Sequence, residues 1–297
     1  MSQQGSRISV ADYLHKHPKI VLSDVERGQL ESCSLRLFLL GNKLLARLRP
    51  GLPESLRDSV ILQFTNYDTV QAKAGGFAPD LNIISISMGL IHLIFSLSRG
   101  LALEAHTRQD MESIMLMLVL GHELTHVVFG HNEFMDVDPL EASAMEVHSD
   151  YFCGIYLAQL LHKGEVNVAQ DDAKAVLAVL ASLLLFAELR GERTDTYHSS
   201  PVRLMIVLGG YLRWALENSR VAAESAQRIL ELANLKRLLS ESVKDQAVFE
   251  KACACIQGAM AADENINESL AAAERFRQKW HERSTLLAPI RDQLGTG

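Results

Sequence analysis

Cysteine is scarce in this 297-residue chain: there are four, Cys33, Cys153, Cys253 and Cys255, and no CxxC pair among them. Such usage excludes a disulfide framework and fits a reducing compartment. The opening residues, MSQQGSRISVADYLHKHPK, lack the apolar stretch of a signal peptide, so the expected location is cytoplasmic. Long apolar runs are missing too. The most apolar segments, Ile114 to Leu120 and Val176 to Ala187, fall short of the roughly 18 to 20 residues that a membrane-spanning helix needs, so no transmembrane segment is expected and both read as buried helices. A third apolar segment, LIHLIFSL at 90 to 97, reads as a core helix and leaves a peripheral membrane contact open. Finally, no Lys/Arg cluster is long enough to track phosphates. With a formal charge of -7 and a pI near 5.9, this argues against nucleic acid as the main partner.

What remains is a 48% hydrophobic, 22% charged composition with ample material for a core. Leu30, Leu37, Leu40, Leu44, Leu45 and Leu48 recur at helical spacing within 24 to 49, and Pro50-Gly51-Leu52-Pro53 stops that helix. Val60 to Phe64 and Ile83 to Ile86 have strand composition, separated by the turn signals Gly75-Gly76 and Pro79-Asp80. From Ser87 onward the pattern predicts helices over 87–106, 110–130, 140–162, 168–189, 199–218, 220–241, 244–261 and 266–286. No internal repeat is present. The expectation is an α+β, predominantly helical chain in three parts: an N-terminal helical segment (1–57), a core with a small β-sheet (58–215), and a C-terminal helical bundle (216–297) that acts as scaffold or oligomer interface.

The chemistry concentrates in MLMLVLGHELTHVVFGH, residues 115–131, which contains the HExxH pentapeptide His122-Glu123-Leu124-Thr125-His126. Two histidines four apart on a helix share a face and can reach one Zn²⁺, while Glu123 beside them can take a proton from metal-bound water. Chance alone would produce this pentapeptide about 0.03 times in a chain of this composition. An imidazole pair among Leu118, Val119, Leu120, Leu124, Val127, Val128 and Phe129 would be costly to bury without a ligand. By contrast, His281-Glu282 has Thr285 where a second histidine would stand, in polar surroundings.

A catalytic zinc usually has three protein ligands. A histidine ten residues after His122 would complete one arrangement, but that residue is Asn132, and Phe129 replaces its glycine. The other arrangement takes a glutamate from a following helix. Glu146 is the candidate, with Asp150 on the same face placed to accept an N–H from a ligand imidazole. Glu141, His148 and Asp150 itself are rivals for the third place. His131, about 140° around the helix from His126, reads as a helix C-terminal histidine favoured by the dipole. For the oxyanion formed during carbonyl attack, His198 is the candidate donor, with Tyr197 able to do the same work, and Arg203 reads as a carboxylate's partner.

In order and spacing, HELTHVVFGH, then Glu146-Val-His-Ser-Asp150 as ExxxD, then Tyr197-His-Ser-Ser-Pro-Val-Arg203, resembles the M48-like gluzincin zinc metallopeptidases over about residues 60–210. Within them it most resembles the Lit-type phage-exclusion peptidases, which share HExxHVV. The third motif departs from the usual THPxxxxR: Ser199 follows His198, Pro201 comes late and Arg203 early. The resemblance implies a helical zincin-like core and one Zn²⁺ per chain held by His122, His126 and Glu146, with Glu123 as general base. It also implies a bacterial intracellular endopeptidase that cuts a particular host protein, in phage defence or a stress response. Asn82 to Ser87 precedes the helices as a zincin edge strand does, and is expected either to pair with an extended substrate or to be an ordinary interior strand. Two other readings stand beside this one: a non-enzymatic, zinc-stapled helical scaffold that recruits a partner, and a secreted effector protease with the same chemistry.

Overall fold

The computed structural model describes residues 5–48, 59–78, 81–131, 137–164, 171–189, 198–261, 268 and 271–276. They form an α+β chain dominated by helix, with one three-stranded sheet. In order the elements are α1 (Val10–Lys16), α2 (Asp24–Leu48), β1 (Val60–Thr65), β2 (Ala72–Ala78), β3 (Leu81–Ser87), α3 (Met88–Arg99), α4 (Ala105–Val128), α5 (Pro139–His162), α6 (Asp171–Glu188), α7 (Ser200–Asn218), α8 (Arg220–Leu230), α9 (Leu232–Ser242) and α10 (Gln246–Ala261). One buried apolar cluster runs from Val10 and Leu30 through Leu62, Ile84 and Leu116 to Leu239 and Ile256, so all three expected segments contribute to it. The expected helix at 266–286 falls mostly outside the described residues, of which 271–276 are helical.

The sheet order is β1-β3-β2, with β1 parallel and β2 antiparallel to β3. Of the two expectations for Asn82 to Ser87, the pairing shows the interior strand and overturns the substrate-pairing edge strand. Those residues lie in the central strand, paired to Val60–Thr65 on one side and to β2 on the other. Gly75 and Gly76, expected as a turn, lie inside β2, where the pairing shifts register between Gly76 and Ala78. The outer side of β1 is met by a bridge from Ser6 to Gln63, while β2 forms the other edge. Ser87 ends β3 and caps α3: its hydroxyl accepts from Leu90 N–H and Gln71 N–H and donates to the Thr69 carbonyl. That capping ties the loop before β2 to the start of α3.

The helix expected over 87–106 ends at Arg99. Gly100 and Ala102 instead exchange backbone hydrogen bonds with Lys244 and Ser242. The helix expected over 220–241 breaks at Glu231, whose backbone is extended.

α4 crosses the middle of the core and is long and apolar enough to span a membrane on length and composition alone; its most apolar window is 72% buried, as a core helix also is. α5 packs against α4 where Gly121 leaves only a narrow gap to Tyr156 and Cys153. α7 packs against α5 closer still. A Cβ at Gly154 would lie 1.9 Å from the Val207 carbonyl oxygen, and one at Gly210 would lie 2.0 Å from that of Tyr151. Both contacts are with backbone, which cannot move aside as a flexible side chain can. Gly154→Ala and Gly210→Ala should therefore each lower unfolding stability by about 1–3 kcal/mol or more through overpacking. Gly209→Ala, where a Cβ meets nothing within 4 Å, should raise it by about 0.5–1 kcal/mol through helix propensity. Chemical denaturation of the three variants checks the contrast, and equal effects at 209 and 210 would refute the close-contact argument.

Candidate metal centre

Helical periodicity on α4 brings the His122 and His126 rings to 4.9 Å between centroids, with their Nε2 atoms 3.1 Å apart. The crossing of α5 lays Glu146 over this pair. Its Oε2 is 3.2 Å from His122 Nε2 and its Oε1 is 3.5 Å from His126 Nε2. Donors bound 2.0–2.1 Å from a tetrahedral zinc are separated by about 3.3 Å, so the three spacings fit one ion. Glu146 Oε2 is buried and receives no aligned hydrogen bond, although an imidazole nitrogen lies so near. Two imidazoles and one carboxylate also form the donor set of a catalytic zinc, with a coordination position to spare. Among the described residues, these three are the group whose ligand atoms converge closely enough to hold a metal ion.

One turn along α5, Asp150 accepts a hydrogen bond from His122 Nδ1 at 2.8 Å. Arg203 on α7 grips the same carboxylate with two hydrogen bonds, Nε to Oδ2 at 2.8 Å and Nη2 to Oδ1 at 2.9 Å. Its guanidinium also sits over the Phe186 ring, 5.6 Å from the centroid, which brings α6 to the site. The expected roles of Asp150 and Arg203 thus have matching geometry. Of the rivals to Glu146, Asp150 is occupied by Arg203 and His122. Glu141 lies in the first turn of α5, and His148 packs among Phe129, Phe152 and His131. Cys153 is buried with its thiol donating to the Leu118 carbonyl; burial holds its pKa well above the ordinary value.

The electrostatics follow from these contacts. Burial is the largest influence on His122 and favours its neutral form, but Asp150 and Glu146 together outweigh it and raise the metal-free pKa to about 10. For His126 burial wins, lowering it to about 4. Burial alone would raise Asp150; Arg203 and His122 overcome it and hold the carboxyl well below the usual range. Glu146 is lowered in the same way, with burial overcome by His122, His126 and Arg203. Glu123 goes the other way: burial raises it, against the pull of His122 and of a backbone N–H from Ala74 on β2.

A cavity of about 690 Å³ reaches the cluster at His122, the one of the three donors that lines it. His122, Glu123, Asp150, His198 and Arg203 supply its polar wall. Residues 70–73 at the start of β2 line one side, and apolar side chains of α3, α4 and α6, among them Leu93, Val119 and Phe186, line the rest. Glu123 is thus at the cavity without belonging to the donor cluster. His198 is buried in the lining just before α7, on the same wall as Arg203. Tyr197 lies outside the described residues.

Sequence reasoning missed two contributors. The first is β2, whose Gly75-Gly76 pair hid its strand character. The second is His131. α4 ends at Val128 and Gly130 adopts a left-handed φ of 65°, so helical angles no longer apply, and His131 folds back until its Nδ1 is 3.1 Å from Nδ1 of His126. The expectation of a helix-terminal histidine facing the dipole is corrected accordingly.

No family model, curated protein or solved structure matches the chain.

In the metal-free protein the two histidines should act oppositely on stability. The raised pKa of His122 gives a contribution that is complete below its unfolded value of about 6.5 and lost as pH climbs towards 10. The lowered pKa of His126 gives one that is complete above that value and lost as pH falls towards 4. Thermal unfolding of chelator-treated protein should therefore peak at about pH 6.5. Because His122 must lose its proton to become a ligand, zinc uptake at about pH 7.5 should release about one proton per chain. Calorimetry in buffers of different ionisation enthalpy reads this directly, and proton-neutral uptake would show that His122 is not held charged.

Proposed function

We propose that this chain is a zinc-dependent endopeptidase with a zincin-like core. The observation that carries the reading is the convergence of His122 Nε2, His126 Nε2 and the Glu146 carboxylate, with His122 and Glu123 lining one cavity and Glu123 outside the donor set. A site that only stapled helices together would have no use for that additional carboxylate, and such sites are usually closed by four ligands.

Zinc, when bound, supplies Lewis acidity that polarises a carbonyl and acidifies water. Glu123 takes the proton from the attacking water and returns it to the leaving amine; its raised pKa brings it nearer the working pH of such a base. Asp150 fixes His122 with its proton on Nδ1, which leaves Nε2 as the donor atom, and Arg203 keeps Asp150 anionic. His198 is the described candidate for holding the oxyanion. An extended substrate has the β2 edge beside the cavity for backbone pairing. The setting, cleavage of a particular host protein in the bacterial cytoplasm as an antiviral response, rests on the resemblance of the three motifs to the Lit-type peptidases.

The test combines zinc per chain, by elemental mass spectrometry, with new peptide N-termini after incubation in native bacterial lysate. Wild type and Glu123→Gln should each carry about one zinc, and Glu146→Gln much less. Only wild type should generate new termini, with Glu123→Gln down by a factor of at least about 10². Absence of zinc after metal-replete expression, or wild-type cleavage by Glu123→Gln, would refute the proposal. Zinc retained in Glu146→Gln would reassign the third ligand.

A further inference from the structure

We infer that His131 is a positioning residue for the metal centre: its Nδ1 accepts the Nδ1–H of His126 and so presents His126 Nε2 to the cation. The inference rests on the proposed zinc site and extends it by a residue to which none of the three motifs gives a role at the metal.

The geometry leaves little freedom. Two ring nitrogens 3.1 Å apart with no cation to share need one proton between them, and a neutral imidazole has only one to offer. If His126 gives its Nε2 lone pair to a metal, its proton resides on Nδ1, and His126 must be the donor. His131 is then the acceptor, with its own proton on Nε2. His131 is held for this task from several sides. The left-handed turn at Gly130 returns it towards α4, the Phe129 ring stacks on it at 29° between planes, and His148 packs at 5.3 Å. Ser149 Oγ lies 3.5 Å from the same Nδ1, on the α5 side. His131 is 4% exposed, so water does not compete freely for the contact.

The two ligand histidines consequently have different supports. His122 donates to the Asp150 carboxylate, an anion already bound by Arg203. His126 donates to a neutral ring. His126 therefore receives orientation from its support but not the added negative charge that makes a ligand more basic. Loss of the support should appear mainly as loss of metal affinity.

Three proteins decide it: wild type, His131→Leu and His131→Asn, the last placing an amide oxygen near the position of Nδ1. Zinc affinity is measured by competition with a chromogenic chelator, and folding by the thermal midpoint of each metal-free protein. His131→Leu should bind zinc about 10- to 100-fold more weakly, and His131→Asn should recover most of that loss. Equal affinity in all three, or equal loss in both variants, overturns the inference while leaving the zinc site standing. Absence of zinc binding by wild type overturns both. The tautomer supplies a readout on wild type alone, which holds even where a variant fails to fold. In ¹⁵N-labelled, zinc-loaded protein, long-range proton–nitrogen spectra should show His126 protonated on Nδ1 and His131 on Nε2. A proton on His131 Nδ1 overturns the assignment.

Discussion

The buried carboxylate of Asp150 is the constraint around which the rest of the site is organised. A lone anion in this interior would carry a desolvation cost of several kcal/mol. Here it is met by both arms of Arg203 and by His122, so a single group joins α4, α5 and α7. The compensation also creates the site: the contact that neutralises Asp150 orients His122, and the same turn of α5 delivers Glu146. Removing either charge would leave the other buried without its main partner, the costly way to break such a pair.

Much of the donor set was legible because it depends on local periodicity. His122 and His126 are four apart on one helix, as are Glu146 and Asp150, and an α-helix turns such spacing into a shared face whatever surrounds it. That the two faces meet is a tertiary fact, which the spacing on either helix does not state. The extents of α2, α5 and α7 follow from the same periodicity and from Pro and Ser at their boundaries.

What escaped the sequence was set by partners distant along the chain. Gly75 and Gly76 suit a turn locally, yet β3 offers them a ladder, and pairing overrides the preference. The helix at 88–99 stops where Gly100 and Ala102 find Lys244 and Ser242, residues more than a hundred positions away. His131 was misread because its place depends on where α4 ends, and that end is set by one backbone angle at Gly130. The α6 wall of the cavity, including Phe186 under Arg203, carried no motif at all and is recognisable only by what it touches.

At Gly154 and Gly210, α5 and α7 meet main chain to main chain, with no side chain between them whose rotamer could change. An interface of that kind has one seating. It cannot be repacked into a second arrangement by a neighbouring ligand, as contacts between long side chains can. The wall carrying Glu146, Asp150 and Arg203 is thus the anvil of the site, and any breathing falls to the opposite jaw, where an edge strand is held on one side only by its ladder with β3 and the residues leading into it by the hydroxyl of Ser87.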